Sequence, residues 1–273
     1  MTNGKTALVT GSSRGIGRAI ARRLARDGYR IVIHCAQNRE KADTLRAAIE
    51  AEGGQAEVLQ ADLSDLAQTQ ALCRRLPPVD VLVLNASMQV RRPWLEIPPE
   101  ECLRQLDCNF VSSLLLIQAV VPGMKAKGWG RIVAIGSVQE AKPHPEMLVY
   151  SASKAAINSY TMALANELRP FGITVCAVMP GDLKTGFTAA REKNVRGDAE
   201  YGGRISRSVS RMEHDEQTGM PPEKAAAFLC RVALRCRTRP LYAIGPQYSA
   251  AVLLGRLLPC RLVSWIVSKL YAA

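Results

Sequence analysis

Short apolar runs and helical patterns alternate along most of the chain. The runs Thr6–Thr10, Ile31–His34, Ala56–Gln60, Val81–Asn85, Arg131–Ile135 and Ile173–Val178 are mostly continuous in their apolar character, the pattern of strands covered on both faces. Leu241–Ile244 reads as a last short strand. Ile16–Asp27 and Lys41–Glu52 have helical spacing and are followed by Gly28 and by Gly53-Gly54, the usual stop signal. Glu100–Lys127 and Tyr150–Leu168 are longer helical patterns. Strand–helix alternation of this kind predicts an α/β fold: a doubly wound parallel sheet, Rossmann-like, with helices on both faces, in a single domain.

Composition fits that frame. Of the 273 residues, 48% are hydrophobic and 22% charged, which excludes a mostly disordered chain. The eight cysteines (Cys35, Cys73, Cys102, Cys108, Cys176, Cys230, Cys236 and Cys260) form no C-x-x-C pair and no zinc-type cluster. They are expected to be reduced, mostly buried thiols of a cytoplasmic protein. With a strand-like run within the first few residues, no leader is expected, and no uninterrupted apolar run of membrane-spanning length is expected. The net charge of +12 favours acidic partners. Nucleic acid is not expected, because the charges are dispersed and no aromatic stacking platform accompanies them.

The segment Thr10-Gly11-Ser12-Ser13-Arg14-Gly15-Ile16-Gly17 joins the first strand to the first helix. Glycines there allow a tight turn and close approach of a pyrophosphate, and the helix amino terminus offers N–H groups and a positive dipole end. Farther along, Tyr150 and Lys154 stand four apart at the start of a helix, on one face. An ammonium beside a phenol favours the phenolate and makes the tyrosine a usable acid or base nearer neutral pH. Ser137 ends the fifth strand, and its hydroxyl is placed to hold a substrate oxygen. Asn109 lies in the preceding long helix, Asn85-Ala86 ends the fourth strand and Asp62 ends the third. All fall at or beside the carboxyl edge of the sheet, where such folds bind ligands.

The glycine spacing is T-G-x-x-x-G-x-G rather than G-x-G-x-x-G, and with Ser137, Tyr150 and Lys154 it resembles the short-chain dehydrogenase/reductase family from about Lys5 to Gly245. The resemblance implies a catalytic tetrad of Ser137, Tyr150, Lys154 and Asn109. Tyr150 would exchange a proton with the substrate oxygen, which Ser137 would hydrogen-bond. Lys154 would bind the nicotinamide ribose, and Asn109 would hold a water in the proton relay. It implies cofactor contacts from Thr10, Gly11, Ser13, Arg14, Gly15, Ile16 and Gly17, from Asn38 and Arg39, from Asp62 and Leu63, and from Asn85, Ala86, Tyr150 and Lys154. Pro180, Gly181, Leu183 and Thr185 would face the nicotinamide. One departure stands out: Ser87 occupies a position where the family usually has glycine, which would tighten the cofactor channel or re-aim the loop.

NAD binders usually carry a carboxylate at the end of the second strand. Here His34-Cys35-Ala36-Gln37-Asn38-Arg39 precedes the first one, Glu40. Arg14 or Arg39 would instead pair with a 2′-phosphate, so NADP(H) is favoured over NAD(H). His34 reads as a satisfied strand histidine.

Residues 182–219 are polar without strand pattern and read as a substrate lid. The other expected pocket residues are Met88, Gln89, Val90, Val138, Gln139, His144 and Met147, with Arg91 and Arg92 as surface charge or carrier-protein contacts. Residues 246–273 form an apolar and basic extension broken at Pro259. It is read as packing on a subunit or the pocket, as a peripheral membrane contact on anionic lipid, or as a disordered tail. The substrate is expected to be a small-molecule carbonyl or alcohol. A 3-oxoacyl thioester leads, ahead of sugars and polyols, and lipophilic alcohols would suit the extension. A non-catalytic NADP(H)-binding regulator is the reading from another class, and the intact Ser137–Tyr150–Lys154 set argues against it. By resemblance the chain is a homo-oligomer, a tetramer or dimer built on the two long helices.

Overall fold

The computed structural model describes residues 3–90, 94–138, 147–184, 198, 200 and 202–271. Seven strands form one parallel sheet in the order β3-β2-β1-β4-β5-β6-β7. They are β1 (Thr6–Val9), β2 (Arg30–Cys35), β3 (Ala56–Gln60), β4 (Val81–Leu84), β5 (Gly130–Ile135), β6 (Ile173–Met179) and β7 (Leu241–Ala243). In β1, Val9 pairs with Ile33 of β2 and Val83 of β4. Strand order reverses there, so connections leave in opposite directions and open a crevice at the carboxyl ends.

Side chains alternate across the sheet and build two cores. Ala7, Val9, Ile31, Ile33, Val81 and Val83 pack on one face. They meet α1 (Gly15–Arg26), α2 (Arg39–Ala51) and α8 (Pro222–Ala233). Leu8, Val32, Leu82 and Ile132 pack on the other. Their partners are α3 (Leu66–Arg75), α5 (Ser112–Lys127) and α6 (Leu148–Glu167).

Several elements differ from the sequence reading. The Glu100–Lys127 pattern is not one α-helix. It is α4 (Pro99–Leu106), a π-helical turn Asp107–Val111 and α5. By length and mean hydropathy Pro99–Lys127 is apolar enough to cross a membrane, although Asn109, Ser112, Ser113 and Gln118 interrupt its apolar run, as expected. Here Leu116, Ile117, Val120 and Met124 spend that apolar character against the sheet. The polar 182–219 segment contains α7 (Arg204–Gln217). The cysteines are free thiols, but Cys35, Cys176 and Cys230 alone of the eight are buried, and Cys236 and Cys260 are exposed. Cys260 opens α10, on the surface.

The extension begins directly after β7 as α9 (Pro246–Leu257), and α10 (Cys260–Tyr271) follows. Leu258 is extended at ψ 147°, as a residue before proline prefers, so Pro259 separates the two helices.

Candidate active site

A cleft of about 360 Å3 follows the carboxyl ends of the strands. Toward β3 it is lined by Asn38, Asp62 and Leu63, at the centre by Gly11, Ser13, Arg14, Gly15, Ile16 and Gly17, and toward β6 by Ser137, Tyr150, Lys154, Pro180, Gly181 and Leu183. Thr185 lies outside the described residues.

The glycine loop is held from below. Gly11 and Gly15 have φ of 64° and 56°, conformations glycine adopts without strain. A Cβ on Gly17 would lie 2.5 Å from Asn85 Nδ2 and 2.7 Å from the Gly11 carbonyl oxygen. That space is taken because Asn85 Nδ2 donates to the carbonyl oxygens of Thr10 (2.8 Å) and Gly11 (3.2 Å). The Thr10 hydroxyl accepts from the N–H groups of Asn85 and Ala86, both at 2.9 Å. Thr10 therefore braces the loop and is not part of the cleft lining, whereas Asn85 and Ala86 do both. Arg14, the residue before α1, makes no side-chain cap, so the first N–H groups of the helix keep their capacity for a phosphate. The glycine cradle, the uncapped helix and the cleft beyond them fit a dinucleotide.

His34, the penultimate residue of β2, lies beneath the same loop. Its Nδ1 accepts from Gly11 N–H at 3.0 Å, and Nε2 lies 3.0 Å from the Ala61 carbonyl oxygen, which assigns the proton to Nε2. Ser12 and His34 also exchange hydrogen bonds, Ser12 N–H to the His34 carbonyl and His34 N–H to the Ser12 hydroxyl. Burial pushes the imidazole pKa down to about 4, so it is neutral near pH 7. His34 joins the glycine loop to the end of β3, a role its position in β2 foreshadows only in part.

Of the two arginines weighed for a 2′-phosphate, Arg14 lines the cleft. Arg39 does not: its Nε is 2.9 Å from Asp43 Oδ2, one turn along α2. Asn38 precedes α2 and lines the cleft. Asp62 Oδ1 accepts from the backbone N–H and hydroxyl of Ser64, which fixes the carboxylate at the β3 end.

At the other end, Lys154 is buried, with Nζ donating to the Ile135 carbonyl at 2.8 Å and 5.5 Å from the centroid of the Tyr150 ring. Burial lowers the ammonium pKa to about 8, and the Cys108 thiol opposes that shift. Asn109 stands behind the lining, in the π-helical turn. Its Oδ1 accepts from Met88 N–H (2.7 Å) and the Ser87 hydroxyl (3.1 Å). Its Nδ2 donates to the Met88 carbonyl (2.9 Å) and Ser153 Oγ (3.1 Å). Ser153 Oγ in turn donates to the Tyr150 carbonyl. Asn109 thus ties the loop after β4 to the first turn of α6. Ser87, at the glycine position, both lines the cleft and joins this network.

Of the other expected pocket residues, Gln89 and Val138 line the cleft; Met88, Val90 and Met147 do not. Gln139, His144, Arg91, Arg92 and 185–197 lie outside the described residues. Sequence reasoning missed Cys108, and it placed Met212, Asp215 and Glu216 only within the 182–219 lid segment, without the helix that carries them into the cleft. The helical spacing of Ile205, Ser208 and Met212, which are buried along one side of α7, was the available signal. It also missed Tyr248 of α9, whose ring occupies the space where a Gly181 side chain would be.

The family model for short chain dehydrogenases matches residues 5–196. The chain belongs to the short-chain dehydrogenase/reductase family. It is therefore an oxidoreductase acting on alcohol and carbonyl groups. The chain is 35% identical over 190 residues to the 3-oxoacyl-(acyl-carrier-protein) reductase FabG of Staphylococcus aureus, covering 68% of this chain and 77% of that protein. It is 31% identical over 245 residues to the 3-ketodihydrosphingosine reductase of Bacteroides thetaiotaomicron, covering 88% and 87%. A Burkholderia cenocepacia short chain dehydrogenase solved in complex with NADP superposes with a TM-score of 0.74 at 31% identity, covering 90% of this chain and 98% of that one.

Proposed function

We propose that this chain uses NADPH to reduce a 3-oxoacyl-type carbonyl to the alcohol. The observation that carries the reading is that Ser137, Tyr150 and Lys154 line one end of the cleft whose centre is the glycine loop. When bound, the nicotinamide supplies the hydride that reaches the carbonyl carbon. Tyr150 gives its phenolic proton to the carbonyl oxygen. The Ser137 hydroxyl donates a hydrogen bond to that oxygen as charge develops on it. Lys154 would hold the ribose and keeps positive charge beside Tyr150, and Asn109 supports the route by which Tyr150 regains its proton. Pro180, Gly181 and Leu183, which line that end of the cleft, would hold the nicotinamide.

The preference for NADPH rests on three points. No carboxylate ends β2, Arg14 borders the cleft, and the Burkholderia neighbour carries NADP. One observation favours a long-chain lipophilic 3-ketone as the second reading. Similarity to the 3-ketodihydrosphingosine reductase covers 88% of this chain, against 68% for the FabG relative. A cytoplasmic homo-oligomer is proposed from the family resemblance.

The test is oxidation of NADPH by the purified protein with a short 3-oxoacyl thioester, NADH being run in parallel. Turnover at least tenfold faster with NADPH, and loss of that margin in Arg14→Glu, supports the reading. Equal rates with NADH refute the cofactor choice. No turnover on thioesters alongside turnover of a long-chain 3-ketone transfers the assignment to the second reading.

A further inference from the structure

We infer that α9 and α10 form a docking surface for an anionic lipid bilayer. The inference does not depend on which carbonyl is reduced. It starts from two exposed stripes. On α9, Leu253, Leu254 and Leu257 are exposed, Leu257 at 71%, and the spacing puts them on one side of the helix. On α10, Leu262 and Trp265 are exposed, Trp265 at 59%. Arg261, Trp265 and Lys269 stand four residues apart, so exposed cations flank the indole along one stripe. The other side of α10 carries the half-buried Val263, Ile266 and Val267 and packs on α7. The extension is thus folded onto the molecule, yet it leaves large apolar side chains in water. That arrangement, with Trp and Leu bordered by Lys and Arg, is the one that lies in the plane of a bilayer interface.

Charge selects the occupant. Eight Lys and Arg follow Glu223 and no Asp or Glu does. Two-fold contact between copies of this surface would set Arg261 and Lys269 against their own kind with no carboxylate of residues 224–273 to answer them. An anionic headgroup layer answers them directly, and each cation near such a surface strengthens binding about fivefold. Of the acids on α7, Asp215 and Glu216 line the cleft and Asp215 is paired with Arg211, and Glu213 is the third.

The same α9 carries Tyr248 and Val252. Tyr248 lies against Gly181, and Val252 is buried with Val138 and Met179. A bilayer seated on α9 and α10 therefore lies beside the nicotinamide end of the cleft.

The test is cosedimentation of the full-length protein with phosphatidylcholine vesicles, with and without a large fraction of phosphatidylglycerol. Binding to the phosphatidylglycerol vesicles, weakened by salt, is expected, with little binding to phosphatidylcholine alone. The pair Arg261→Ala and Lys269→Ala should lower the partition about twentyfold, and Leu257→Ser with Trp265→Ser should abolish it. Both should retain NADPH binding and wild-type mass by light scattering. No sedimentation with phosphatidylglycerol vesicles overturns the inference, as does equal binding to both compositions. A fall in oligomeric mass in the Leu257/Trp265 variant, without vesicle binding by the wild type, assigns the surface to a subunit contact instead. Failure to reduce any 3-oxo compound would leave the vesicle result untouched.

Discussion

The Tyr248 hydroxyl donates a 2.6 Å hydrogen bond to the Asp182 carboxylate, and it accepts from the Asp182 N–H at 3.1 Å. Sixty-six residues separate the two. The pair fastens the first turn of α9 to the turn after β6 that borders the cleft. Burial and the Asp182 carboxylate push the Tyr248 pKa up to about 12, so the phenol stays protonated and remains a donor across the physiological range.

Gly181→Ala is therefore expected to displace α9, because the new Cβ would enter the Tyr248 ring. Tyr248→Phe keeps the ring and loses the hydrogen bonds, at a cost of about 1–3 kcal/mol. Limited proteolysis should cut residues 246–271 much faster in Gly181→Ala than in Tyr248→Phe, and the Michaelis constant should rise more in the former. Equal protection of both variants would mean that the ring does not fill the space above Gly181.

Tyr150→Phe removes the proton donor while leaving the lining intact. Turnover should fall by about 10²–10⁴, while NADPH binding, read by quenching of protein fluorescence, stays near the wild-type value. Wild-type turnover in this variant would place the acid elsewhere.

His34 makes the fold acid-sensitive. Its folded-state pKa is about 4, against about 6.5 when unfolded. The unfolded chain therefore takes up a proton that the folded chain refuses. Stability contributed by neutral His34 is complete above about pH 6.5 and is lost as pH falls toward 4, by roughly 3 kcal/mol in total. His34→Gln should flatten this limb of a melting-temperature profile between pH 4 and 7. An unchanged slope would show that other groups carry the acid loss.

Ser87→Gly and Asn109→Ala probe one network with unequal consequences. Glycine deletes a single hydrogen bond to Asn109 Oδ1, worth about 1 kcal/mol. Alanine at 109 leaves the N–H and carbonyl of the half-buried Met88 without their side-chain partner, and two lost hydrogen bonds at about 1 kcal/mol each exceed the one lost in Ser87→Gly. Chemical denaturation should rank the two in that order. In Asn109→Ala turnover should fall as well, because the tie from the β4 loop through Ser153 to the first turn of α6 is cut.

Much of this protein could be read in one dimension. The seven strands follow from apolar runs with turn signals between them, and the glycine loop, Ser137, Tyr150 and Lys154 stand out because local spacing reports on local geometry. The break at Pro259 belongs to the same class, since proline acts on its immediate neighbours. The π-helical turn around Asn109 does not, because no residue type marks the place where helix hydrogen bonding shifts by one residue. Arg39 has a position in the sequence that suits a phosphate ligand, yet its guanidinium is held by Asp43. No spacing rule decides which of two nearby partners a long side chain takes.

The doubly wound sheet, and most of the residues that gather at its carboxyl edge, follow from the pattern along the chain, since both depend on the period of burial and on short-range backbone preference. Packing between distant segments settled what remains. It brought Tyr248 onto Gly181, turned Met212 and Asp215 into the cleft, made His34 a neutral brace under the glycine loop and left Trp265 in water. Each of these depends on contact between segments far apart in the chain. Such contacts are settled by volume, charge and hydrogen-bond satisfaction in the packed molecule rather than by any pattern along it.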